Sequence, residues 1–161
     1  MLEIKPVDIK KDAESQVVIG HAGFIKSVED IYEALVGSTP GIKFGLAFIE
    51  ASGPCLVRSE GNDRHLKELA EQNAIAIGAG HTFIVIFNNA YPINVNNALK
   101  AVPEVVRIYC STANPVQVLV AATSQGAGIV GVVDGSSAKG AESEEDKAKR
   151  KKLLRDIGYK M

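Results

Sequence analysis

Leu2 and Ile4, then Val7 and Ile9, alternate with other residues, and the phase changes at Pro6. Such alternation predicts a half-buried strand, and a proline, which cannot donate to a ladder, puts that strand at an edge or a bend. After a polar turn at 10–14, Val17, Val18 and Ile19 begin a second strand that reaches Gly20. The period then turns helical. Val28, Ile31 and Leu35 predict a helix from Ser27, with the Ser27 hydroxyl capping the amide three residues on, Asp30 reaching back, and Gly37 at the end. Residues 44–51 read as a strand and 55–57 as a short one. A helix over about 62–77 buries Leu66, Leu69, Ala70, Ala74 and Ile77 and stops at a left-handed Gly78. Residues 82–87 are apolar nearly throughout, as in a central strand covered on both faces.

A short helix is expected at 94–101, between Pro92 and Pro103, then a strand at 105–110. Strands at 116–122 and 129–133 read as a hairpin joined through Gly126, Ala127 and Gly128. The composition then shifts to Ser, Gly and charge, and a last helix at about 143–157 starts at Ser143. Acids come first and bases follow, in the order the helix dipole favours; this is the pattern of a solvated face, with Leu153, Leu154 and Ile157 to dock it. Strands and helices alternate, with hairpins at both ends and no internal repeat. The expectation is α/β: a single compact domain, residues 1–161, with a mixed β-sheet covered by helices.

Composition narrows the function classes. Of 161 residues 46% are apolar, enough for a core, and 18 bases against 19 acids leave a net charge of −1, which lacks the footprint of a nucleic-acid binder. With no Trp and only nine Phe and Tyr residues, an aromatic stacking platform is not expected either. No apolar run reaches membrane-spanning length and no leader pattern opens the chain, so a cytoplasmic protein without membrane partners is expected. Cys55 and Cys110 stand outside any CxxC pair and read as reduced, mostly buried thiols.

No P-loop, GxGxxG, HExxH or GxSxG pattern occurs. Three glycine-marked spots remain. At 20–26 a strand feeds a helix start, where free amides and Lys26 could hold an anion; a tight turn with an exposed lysine is the plainer reading. At 78–81, His81 opens the buried strand and could act as base, nucleophile or phosphoryl acceptor, or only pack. At 126–135, Asp134 could hold Mg²⁺, orient a hydroxyl, or form a turn with Gly135. His65, on the polar side of the second helix, is given no role.

The stretches FIKSVED (24–30), IGAGH (77–81), YPINV (91–95), VPEVV (102–106), TANP (112–115), GVVDG (131–135) and LRDIGYK (154–160) lie in register along nearly the whole chain. Together they resemble the adenosine-specific kinase family. The resemblance implies a compact α/β fold, a homo-oligomer (a trimer), binding of adenosine or AMP, and a stably phosphorylated histidine. It implies catalytic roles for His81, Asp134 and Lys26, with Asp134 to position Mg²⁺ or the accepting hydroxyl, and no tightly bound organic cofactor. It implies substrate contacts by His21, Gly23, Glu29, Asn114, Gly126 and Gly128. Two positions depart from the family pattern. Gly23 stands where a histidine is common, with His21 two residues earlier, and Ala127 stands where a base is common between the glycines. A module that binds adenosine or AMP without catalysis is therefore the alternative to a phosphotransferase.

Overall fold

A computed structural model describes residues 2–161. Its elements run β1 (Glu3–Asp8), β2 (Gln16–Ala22), α1 (Ser27–Ser38), β3 (Lys43–Ile49), β4 (Val57–Gly61), α2 (Arg64–Ile77) and β5 (Thr82–Asn88). They continue with α3 (Pro92–Lys100), β6 (Val105–Thr112), β7 (Val116–Ala122), β8 (Ala127–Asp134) and α4 (Glu144–Asp156). The expected α/β domain is present, but its strands divide into two sheets and every pairing is antiparallel rather than mixed. The larger sheet has the order β4-β3-β5-β2-β6, the smaller β1-β7-β8.

Three layers account for the sequence pattern. Phe83, Val85 and Phe87 of β5 face α1 and α3, where Val28, Ile31, Leu35, Val95 and Leu99 meet them. Ile84 and Ile86 face the other way, onto Leu66, Ala70 and Ala74 of α2 and Val116 and Val118 of β7. A strand with both faces covered has no polar side to show, so residues 83–87 are apolar throughout although the sheet is antiparallel. On the smaller sheet β1 is an edge, which is where Pro6 is tolerated.

Local chemistry sets the ends. Asp63 caps α2 through its side chain, accepting from Leu66 N at 3.0 Å, and Gly78 closes it at φ 63°. A Cβ on Gly45 would lie 2.2 Å from the backbone of α2, so only glycine lets that helix seat against β3. Three local expectations are corrected. Ser27 lies inside α1 rather than at its cap, and its hydroxyl donates to Phe24 O at 2.7 Å. Cys110 is buried but Cys55 is exposed, in a loop at φ 52°. Finally, α4 has its Ser143–Asp146 capping box yet buries none of its residues, and Leu153 and Ile157 stay exposed instead of docking it.

Candidate functional site

β2 and β5 run antiparallel, with His21 opposite Thr82, so the end of one strand and the start of the other bring two histidines together. The ring centroids of His21 and His81 lie 5.8 Å apart, edge to face. His81 holds a left-handed backbone at φ 63°, unusual for a residue with a side chain. Its N–H donates to Ile49 O at 2.8 Å and its carbonyl accepts from Ala22 N at 2.9 Å, which pins that conformation from both sides. Its ring stacks on the buried Phe48 ring at 5.8 Å. A Cβ on Gly23 would stand 3.1 Å from His81 Nδ1, so the missing side chain leaves that nitrogen uncovered. Burial, then His81 and Arg107, push the His21 pKa below its ordinary value and keep the ring neutral at pH 7.

His81 opens onto a cavity of about 600 Å³, a volume suited to a small ligand. Phe24, Ile25 and Leu56 form an apolar lip, exposed at 61%, 71% and 64%, and Arg58 of β4 is the cation in the wall. A neighbouring groove of about 1020 Å³ shares Glu50, Leu56 and Val57 with this cavity and is lined by Gly78, Gly80, Gly126, Ala127 and Gly128. All three glycine-marked spots therefore border one continuous cleft, the first through Phe24 and Ile25.

The other expected residues are placed differently. Lys26 Nζ sits 2.6 Å from Asp30 and 2.5 Å from Glu104, whose side chain is 4% exposed. Those bonds raise the lysine's pKa and depress that of Asp30. Glu29 is exposed beside Lys26 and Arg58 at a smaller depression. With both acids in the first turn of α1, the dipole already has its anions and the expected phosphate seat is taken. In the third spot, the Gly126 amide is used within its own turn, donating to Thr123 Oγ1 at 3.4 Å.

Asn114 and Asp134 meet each other, Asn114 Nδ2 donating to Asp134 Oδ1 at 3.1 Å, but far from His81. Ala127 and Asp134 are the two ends of β8, an extended strand that at ~3.3 Å per residue separates them by up to about 23 Å. Asp134 does form the turn with Gly135, at φ 69°. Among the described residues no group of three His, Cys, Asp or Glu is arranged to hold a metal. Asp134 has the Asn114 amide as its side-chain neighbour. Burial and then Asp134 push the Cys110 thiol up to about 11, so that cysteine is inert. His65 pairs with Asp12 at 2.8 Å on the exposed side of α2, away from the cleft.

Sequence reading missed Arg58 and Glu50. Residues 58–61 continue β4, an edge strand rich in charge that lacks the apolar alternation by which strands are recognised. Glu50 Oε1 accepts from Ala51 N, Ser52 N and Ser52 Oγ, and its Oε2 takes Arg58 at 2.6 Å.

The sequence model of a family described as adenosine-specific kinase matches residues 7–160. The crystal structure of the PH1918 protein from Pyrococcus horikoshii OT3 superposes with a TM-score of 0.97 at 46% identity, covering 100% of this chain and 99% of that one. No curated protein matches.

Proposed function

Because the chain belongs to the adenosine-specific kinase family, we propose that it is an adenosine/AMP-binding phosphotransferase that works through a phosphorylated His81. The observation that carries this reading is the pairing of His21 with His81, whose Nδ1 is left uncovered by Gly23 and whose ring lines a cavity with an apolar lip. The lip of Phe24, Ile25 and Leu56 offers a purine its apolar cover, and the imidazole offers a nucleophile without a P-loop.

The chemistry balances on this chain's own groups. A ring nitrogen of His81 attacks a donor phosphoryl group, a P–N bond forms, and the donor's P–O bond breaks with its electron pair on oxygen. A ribose hydroxyl of adenosine then attacks phosphorus. The P–N bond breaks, the pair returns to the imidazole, and the hydroxyl proton goes to a histidine nitrogen. His21, kept neutral by its surroundings, has a lone pair ready to accept that proton. Catalysis is then mainly positioning and charge stabilisation.

Incubation with labelled phosphoryl donors, with and without adenosine, tests the reading. Acid-labile, base-stable label is expected on the wild type, absent in His81→Gln and chased into AMP by adenosine. Label that survives in His81→Gln moves the assignment to His21. The alternative, adenosine or AMP binding without turnover, is favoured by the sequestered Lys26 and by Gly23 and Ala127 standing where the family commonly carries histidine and a base. It predicts stabilisation by AMP with no label under any donor. We further propose a homotrimer. Exposed Ile4, Val130 and Val133 on the smaller sheet, and Leu153 and Ile157 on α4, are apolar surface for neighbouring copies. A light-scattering mass of three times 17.1 kDa is expected; a monomer mass refutes this.

A further inference from the structure

A phosphoryl group on His81 brings two negative charges to the cleft, and the sequence pointed to Lys26 as their partner. The structure gives that lysine two acidic partners instead. One ammonium stands against the two carboxylates of Asp30 and Glu104, so the trio carries a net negative charge and two of the lysine's three N–H groups are taken by acids. Arg107 stacks over Tyr109 and does not line the cavity. Ala127 supplies no charge.

Arg58 remains. It lines the cavity together with His81, and its guanidinium lies over the Phe48 ring on which His81 stacks. It donates Nη2 to Glu50 and Nη1, weakly at 3.4 Å, to Ile25 O. A guanidinium has five N–H groups. Two are used here, so three are left without a protein partner among the described residues. Glu50 already accepts three bonds from Ala51 and Ser52 besides the arginine, so part of its charge is spent within its own loop. The planar fork suits a phosphate.

We propose that Arg58 is the phosphate-binding cation of the His81 cavity, sharing its guanidinium between Glu50 and the phosphoryl group. This deepens the phosphotransfer reading and rests on it for the identity of the anion, although the anion site itself can be tested without any transfer.

Inorganic phosphate is titrated into the isotope-labelled full-length protein while the His81 ring signals are followed by NMR. Arg58→Gln is expected to raise the dissociation constant about 10- to 100-fold, the effect of a lost charge-assisted pair. Arg58→Lys should fall between it and wild type, and Lys26→Met should stay within about twofold, as a rim charge without contact. Glu50→Gln separates a ligand from a loop anchor. If Arg58 only ties down the 50–58 loop, Glu50→Gln weakens phosphate as Arg58→Gln does, which overturns the proposal; if Arg58 binds the anion, freeing it from Glu50 tightens binding. Wild-type signals that ignore phosphate, or equal losses in Arg58→Gln and Lys26→Met, also overturn it.

Phosphoramidate, which can transfer its phosphoryl group to an imidazole and release ammonia, makes the two failures distinguishable. A phosphate site that depends on Arg58, with no phosphohistidine from any donor, leaves the anion site standing and defeats the phosphotransfer reading. Phosphohistidine that forms and hydrolyses equally in Arg58→Gln and wild type defeats the Arg58 assignment alone.

Discussion

Gly23→Ala puts a methyl group where the site is tightest. The new Cβ would stand 3.1 Å from His81 Nδ1 and 3.4 Å from its Cε1, where ordinary contact begins near 3.4 Å. The ring therefore has to move by a few tenths of an ångström, away from Gly23. Its other sides are bounded by the stacked Phe48 and the edge-on His21, both 5.8 Å away between centroids. Stability should barely respond. Gly23 is exposed and does not need a left-handed backbone, so the gain of about 0.4–1 kcal/mol from a stiffer unfolded chain offsets a contact strain of similar size. Catalysis is less forgiving, because a misplacement of about 1 Å costs on the order of 10²-fold. A shift of a few tenths then lowers the rate of phosphohistidine formation about tenfold. Denaturant unfolding, label incorporation and the His81 NMR signals measure the three quantities on one variant. A loss of more than about 2 kcal/mol would mean that Gly23 serves the backbone rather than His81. Moved ring signals with an unchanged rate would mean that the ring position does not limit transfer. Gly23→His, the residue the family resemblance leads one to expect, carries the same Cβ and is expected to move His81 at least as far.

Phe48 is fully buried beneath His81 and Arg58, so Phe48→Ala should cost about 3–5 kcal/mol in denaturant unfolding, while Phe48→Leu costs far less. Lys26→Met leaves Asp30 and Glu104 facing each other without a cation; its melting temperature should fall at pH 7, and Lys26→Met/Glu104→Gln should recover part of the loss. The depressed pKa of His21 fixes a sign: folding gains from the neutral ring above the unfolded value of 6.5, and that gain is lost as pH falls through the lower folded value. Thermal unfolding between pH 8 and pH 5 should therefore destabilise the wild type more steeply than His21→Gln, and parallel curves would refute this.

What the sequence made legible follows from which forces act locally. Gly78 and Ser143 act within one turn, and each stands where its residue type suggested, while Asp63, which caps α2, falls one residue inside the expected helix start. The hairpin of β7 and β8 was equally plain. The division into two sheets was not, because a run such as 82–87 records that both faces are covered without recording by what. The same limit governs the site. His21 and His81 are 60 positions apart, and only the antiparallel register of β2 with β5 makes them neighbours. Ala127 and Asp134 lie close in sequence, yet an extended strand holds them at its opposite ends. Charge was the least legible property of all. Lys26 precedes a helix and so suggested an anion seat, but the buried Glu104, from the loop before β6, claims it. Arg58 sits in a polar edge strand that suggested nothing, yet its one carboxylate partner is already shared with Ala51 and Ser52. A cation's availability depends on which acids the fold brings to it, so the number of lysines and arginines near a glycine loop says little about where a phosphate can bind.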